Sequence, residues 1–233
     1  MNLKQSISVA LLLCSLPLMA QRRASADVEV KTLTENNVVT VTKSVYCSNN
    51  GRLVSKFYTP ADYIVVTDAM GECQYYFPST NEVLADNSGA VVSSDELLSV
   101  FLFGRIEDLG VTLSGYMLQN TEYLPDGLVK KTYKTVKPEL PPFCEIVYNT
   151  DYLPIYSAVL AEDGKVLSKS YYSKYELYGY SPFPLRTTQI IYNSSKDSTI
   201  VRTIYSNVKL DGEDAMFDFT VPQNAKPVVL KEK

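Results

Sequence analysis

Apolar and polar residues alternate with a period of two over most of this chain, and turn-forming residues break that pattern at short intervals. The densest case is Gly51–Leu84. Arg52–Tyr58 reads as a strand with Leu53, Ser55 and Phe57 on one face and Val54, Lys56 and Tyr58 on the other. Thr59-Pro60-Ala61-Asp62 is a turn, because Pro60 fixes its own φ and holds Thr59 extended. Tyr63–Thr67 and Gln74–Phe77 are β-branched and aromatic, as half-buried strands are. Ala69-Met70-Gly71-Glu72 separates them, Pro78 stops the second, and Asn81–Leu84 follows.

Upstream, Val39, Val41, Val45 and Cys47 alternate along a strand that Ser48-Asn49-Asn50-Gly51 turns into this stretch. Asp27–Asn37 is polar and predicts a loose arm or a short strand. Downstream, Met117–Tyr123 and Leu128–Val136 flank the turn Pro125-Asp126-Gly127. Phe143–Tyr148, Ile155–Ala161 and Val166–Tyr175 continue the meander, with Asp163-Gly164 as a hairpin turn. Pro182-Phe183-Pro184 is expected to interrupt the register before Thr187–Tyr192 and Thr199–Val208, and Phe217–Val221 is expected as the last strand. About eleven strands are predicted, in one antiparallel sheet that curls. A domain boundary near Leu109 is conceivable, but neither half looks self-sufficient.

One segment carries a helical period. Residues 93–103 open on Ser93 and Glu96, a capping-box pair, and Leu97, Leu98, Val100, Phe101, Leu102 and Phe103 make the segment apolar nearly all round. Such a helix is buried or covers an apolar surface. It is either a core helix or a plug inside the curved sheet, and periodicity alone does not separate the two.

Composition narrows the chemistry. The 233 residues, 45% of them hydrophobic, suit one domain with a sizeable core. Eighteen Tyr and eight Phe without Trp favour strands. With no His, imidazole acid–base chemistry, His-based triads and His zinc sites are excluded. No spacing singles out a carboxylate pair for glycoside chemistry, and neither Ser93-Ser94 nor Ser194-Ser195 has the flanking glycines of a nucleophile elbow. Asp211-Gly212-Glu213-Asp214 lacks the ligand spacing of a calcium loop and reads as a solvated turn, so no metal and no cofactor are expected.

Met1–Ala26 reads as a secretory signal: Lys4 starts it, and Ile7–Leu18 is an apolar run too short to span a bilayer. Cleavage is expected after Ala20 or after Ala26; the second would take the net charge from −4 to −7 by removing Lys4, Arg22 and Arg23. The remainder, 27–233, is expected to be a single domain. An acidic exported protein is a poor partner for nucleic acid. Cys47, Cys73 and Cys144 then remain, an odd number. In a meander Cys47 and Cys73 are three ladder steps apart, ~14 Å, beyond the reach of a disulfide. Buried free thiols are expected.

The proline turn after Leu53–Tyr58, the strand Tyr63–Thr67 running to Gly71, the corner Tyr75-Tyr76-Phe77-Pro78 and the closing Phe217-Asp218-Phe219-Thr220-Val221-Pro222 resemble the LolA family of periplasmic lipoprotein carriers. The resemblance spans about Val38 to Val228. It implies a single curved antiparallel sheet, an unclosed half-barrel with a few short helices covering the concave face. It also implies a monomer that carries lipoprotein acyl chains, loaded by an inner-membrane ABC transporter and relieved by an outer-membrane acceptor, without catalysis. The acyl-chain groove would be lined by Tyr46, Tyr58, Tyr63, Val65, Tyr75 and Phe77 on the sheet and Leu97, Leu98, Phe101 and Leu102 on the helix, with Phe101 facing Tyr63 and Tyr75. Two departures stand out: no amphipathic helix precedes the first strand, and Thr59 occupies the place before the turn proline where the family often has Arg. A sensor or assembly factor that binds a protein partner on the same scaffold is the alternative reading.

Overall fold

The structure is a computed structural model that describes residues 22–35, 37–86, 96–193 and 197–228. Among them are fourteen strands in one unclosed sheet. The first six are β1 (Arg23–Thr34), β2 (Asn37–Ser48), β3 (Leu53–Thr59), β4 (Tyr63–Thr67), β5 (Cys73–Phe77) and β6 (Glu82–Asp86). After one short helix, α1 (Leu97–Leu102), come β7 (Met117–Tyr123), β8 (Val129–Lys134), β9 (Phe143–Tyr148), β10 (Pro154–Leu160) and β11 (Val166–Tyr178). Then follow β12 (Ser181–Tyr192), β13 (Ser198–Leu210) and the two-residue β14 (Lys226–Pro227).

The order across the sheet is β14-β6-β5-β4-β3-β2-β1-β13-β12-β11-β10-β9-β8-β7. Two antiparallel meanders therefore meet at β1 and β13, and only the β14–β6 pair is parallel. Short-range turn chemistry sets the meanders. Asp68 accepts from the amides of Met70 and Glu72, and Gly71 takes the positive φ that closes the β4–β5 turn.

This topology produces the layers. β6 and β7 are consecutive in the chain but lie near opposite ends of the sheet, and residues 96–116 of the connector between them are described. The described part of that connector, α1 and the segment 103–116, lies on what we call the inner face. It packs Leu98, Phe101, Leu102 and Ile106 against Ala24, Ala26, Val28, Val45, Cys47, Leu53, Phe183 and Tyr205. Further along it meets Tyr133, Cys144, Ile146 and Tyr148 around Tyr116. The tail after β13 crosses the outer face in the other direction. Met216, Phe219, Val221 and Ala225 cover Val54, Ile64, Val66 and Tyr76 before β14 joins β6. Arg52 fastens this tail, donating from Nε to the Phe217 carbonyl at 3.3 Å and from Nη2 to that of Phe219.

Several expectations need correction. The polar stretch 27–37 is no loose arm: β1 pairs continuously with β2 and, through a bulge, with β13, at the centre of the sheet. Its alternation is clear once the two alanines before it are counted, because Ala24, Ala26 and Val28 are buried in turn. Pro182-Phe183-Pro184 does not break the register; β12 pairs with β11 through both prolines, whose missing donors fall beyond the end of the β12–β13 ladder. Phe217–Val221 is not a strand. Asp214 caps a 3₁₀ turn at Ala215–Asp218, and Phe217 is buried against Tyr46 and beneath Arg23. The helix covers 97–102 rather than 93–103, and Ser93 lies outside the described residues. Of the expected leader, residues 1–21 also lie outside them, while residues 23–26 form the start of β1.

Candidate functional site

The inner face holds a cavity of about 540 Å³ between the connector and the centre of the sheet. Its near wall is aliphatic: Val28 and Val30 from β1, Leu97 and Val100 from α1, Leu109 and Val111 from the crossing segment. The far wall, on β10–β13, alternates apolar and polar groups, with Val159 and Val201 among Ser170, Thr187, Gln189 and Thr203. Tyr172, which shares a hydrogen bond with Ser157 at 3.0 Å, completes that side.

A partly buried polar cluster closes the end next to the helix. The Lys43 ammonium lies 2.9 Å from one oxygen of Glu96, and the Tyr205 hydroxyl donates to the other at 2.7 Å. Burial and the adjacent Glu96 charge push the Tyr205 phenol well above its ordinary value, so it stays a donor. One turn on, Ser99 donates to the Cys47 thiol at 3.2 Å, and burial raises that thiol as well. Glu96 therefore uses both oxygens in tertiary bonds from β2 and β13.

The residues expected to line a groove divide into three groups. Tyr63, Val65, Tyr75 and Phe77 do share the inner face, where Phe57 stacks on Tyr63 with centroids 4.3 Å apart and Phe77 follows at 6.1 Å. Lys43 stands over Phe57 at 5.6 Å, so this aromatic row begins beside the Glu96 cluster. Tyr46 and Tyr58 are on the outer face, in a polar recess of about 580 Å³ with Asp27, Ser44 and Asp214; Ser44 donates to Asp27 at 2.5 Å and lies 3.0 Å from the Tyr58 hydroxyl. On the helix, Leu98, Phe101 and Leu102 are core residues, and Leu97 lines the cavity.

Phe101 does not face Tyr63 and Tyr75. It packs on Phe183 at 5.0 Å and edge-on to Tyr178 at 6.4 Å, because the helix crosses over β1 and β2 towards β12, away from β4 and β5. Phe101 also borders a second cavity, about 410 Å³, with Ile106, Lys131, Tyr148, Leu153 and Pro182. Lys131, with its ammonium 4.8 Å from the Tyr148 ring, is thus part of the inner surface. Sequence reasoning missed the far wall entirely. Its only sequence signal is the alternation Val201-Thr203-Tyr205, which names an inner face once the register with Val28 and Val30 is known.

Among the described residues no cluster of His, Cys, Asp or Glu could hold a metal ion, and no helix is long and apolar enough to cross a membrane. Cys47, Cys73 and Cys144 are buried free thiols.

No protein-family model and no curated protein matches the chain. Solved structures do. A LolA superfamily protein from Nitrosomonas europaea superposes with a TM-score of 0.58 at 14% identity, over 85% of this chain and 90% of that one. A DUF1329 family protein from Desulfovibrio piger gives 0.58 at 14% identity, over 92% and 96%. A putative outer membrane lipoprotein-sorting protein domain from Vibrio parahaemolyticus gives 0.57 at 10% identity, over 93% and 97%. The chain has the LolA-like fold: mainly β, one large unclosed sheet, very few helices.

Proposed function

We propose that this protein is a periplasmic carrier that shelters lipoprotein acyl chains on its inner face and shuttles lipoproteins from the inner to the outer membrane. The observation that carries the reading is the cavity of about 540 Å³ beneath the connector, with its aliphatic near wall. That volume is in the range of small-ligand sites, ~300–1,000 Å³. The structural neighbours support the same direction, since one is a putative outer membrane lipoprotein-sorting protein domain and another a LolA superfamily protein. Loading by an inner-membrane ABC transporter and release to an outer-membrane acceptor are the steps this reading entails. No catalytic step belongs to it.

The energetics suit a shuttle. Each methylene taken out of water contributes about 0.8 kcal/mol, so ten of them give ~8 kcal/mol before the cost of association, near micromolar affinity. The Ser, Thr and Gln side chains of the far wall keep the site from being uniformly apolar, which favours release over retention.

The test is mass spectrometry of lipid retained after gentle purification, paired with binding of a fluorescent fatty-acid probe. Val201→Asp places a carboxylate on the cavity wall and is expected to weaken the probe at least tenfold, ~1.4 kcal/mol. Glu162→Lys, on an exposed hairpin, is the control. Unchanged binding by folded Val201→Asp sinks this placement of the groove. No probe binding by wild type, with a protein partner co-purifying instead, replaces the carrier with the sensor or assembly reading.

A further inference from the structure

The two edges of the sheet are treated differently. At one end β14 pairs with β6, and the tail that brings it there covers the adjoining strands. At the other end β7 is the last strand among the described residues, and all seven of its side chains are exposed. It contains no Pro and no Lys, the residues that blunt an edge against pairing. Exposed apolar side chains sit at both ends of it: Leu113, Met117 and Leu118 at one, Tyr123 at the other.

From these features we infer, against the monomer that the resemblance implies, that β7 is a homodimer edge, pairing antiparallel with β7 of a second copy about a two-fold axis through Thr121. The dyad at Thr121 is part of the inference, and the bulge is taken over from the β7–β8 ladder, where Gln119 is skipped: Leu118 opposes Tyr133, and Asn120 opposes Thr132. Applying the same bulge to a second copy sets Thr121 against Thr121, Asn120 against Glu122, and Leu118 against Tyr123. In every pair the two residues project from the same face, as an antiparallel ladder requires. Thr–Thr and Leu–Tyr are favourable cross-strand pairs. Each Glu122 meets an Asn amide and keeps its own Lys130, 2.9 Å away, so no like charges oppose one another. The strand is thus chemically complementary to itself, which singles out a second copy as the occupant. The operation is isologous and closed, giving a dimer and no fibre.

The experiment is analytical ultracentrifugation of the full chain up to roughly 100 µM, with Thr121→Lys and Thr121→Glu variants checked for folding by circular dichroism. Wild type is expected to dimerise. Each variant puts two like charges at the dyad and is expected to weaken the dimer at least tenfold. An equimolar mixture of the two variants is expected to restore association, because Lys then opposes Glu. A monomeric wild type overturns the inference and leaves the edge for an extended segment of another protein. A wild-type dimer indifferent to both substitutions, or variants that fail to rescue one another, overturns the register.

Discussion

Tyr205 on β13 donates its hydroxyl proton across 2.7 Å to Glu96, the residue that opens the helix, while Lys43 on β2 holds the other carboxylate oxygen. Three segments distant in sequence are joined at one partly buried carboxylate. Tyr205→Phe removes a donor to that charge and is expected to cost about 1–3 kcal/mol. Lys43→Met removes the countercharge, so its cost is expected to be larger, but below the ~3–5 kcal/mol of breaking a fully buried pair. Urea denaturation of the two variants checks the order; a smaller effect at Lys43 would show the pair to be well solvated.

Stability is expected to fall above about pH 9. Burial raises the Cys144 thiol to about 12, and raises Cys47 too, the latter helped by the nearby Glu96 charge. Their unfolded-state value is near 9. With folded values above unfolded ones, the stabilisation is complete below pH 9 and is lost as the unfolded chain ionises first. Each thiol contributes a slope of up to ~1.4 kcal/mol per pH unit. Denaturation midpoints at pH 8, 9 and 10 test the direction, and Cys144→Ala should flatten the curve. Reductant at pH 7 should leave the midpoint unchanged.

The clasp between Arg52 and the tail predicts a local effect. Arg52→Met leaves two carbonyls without their donor, and is expected to cost about 1–3 kcal/mol. The outer cluster of Val54, Ile64, Val66 and Tyr76 depends on that tail for cover. Hydrogen exchange should therefore quicken in β4 and β5 while β11–β13 keep their protection. Uniform loss of protection would mean that the tail folds as one unit with the whole sheet.

Of the two cleavage points expected from the sequence, only the one after Ala20 would leave β1 whole. Cleavage after Ala26 would remove Arg23–Ala26, with Ala24 and Ala26 buried to 0% and 3% exposure and Arg23 joined to Asp218 at 2.9 Å. We propose that export with cleavage would leave a chain that starts at Gln21, read by intact mass of the secreted protein. A chain starting at Asp27 is expected to be the less stable of the two; equal midpoints would show that residues 21–26 add nothing.

Local chemistry made much of this fold legible. Gly51, Gly71 and Gly164 take positive φ in turns that Asn, Asp and Gly announce, and alternation along β3–β5 and β8–β10 marks strands with two distinct faces. The three thiols and the buried character of Leu98 and Phe101 follow from the same short-range patterns. Alternation cannot say which layer covers which face. Tyr46 and Tyr63 look alike in sequence, yet Tyr46 meets Phe217 on the outer face and Tyr63 stacks with Phe57 on the inner one. Nor does it pair Val28 with Tyr205, or carry Phe101 to Phe183 instead of to Tyr75. Those contacts depend on where residues 96–116 and 211–228 cross the sheet. That path is set by strand order and by apolar area buried between segments far apart in the chain, which no local period records.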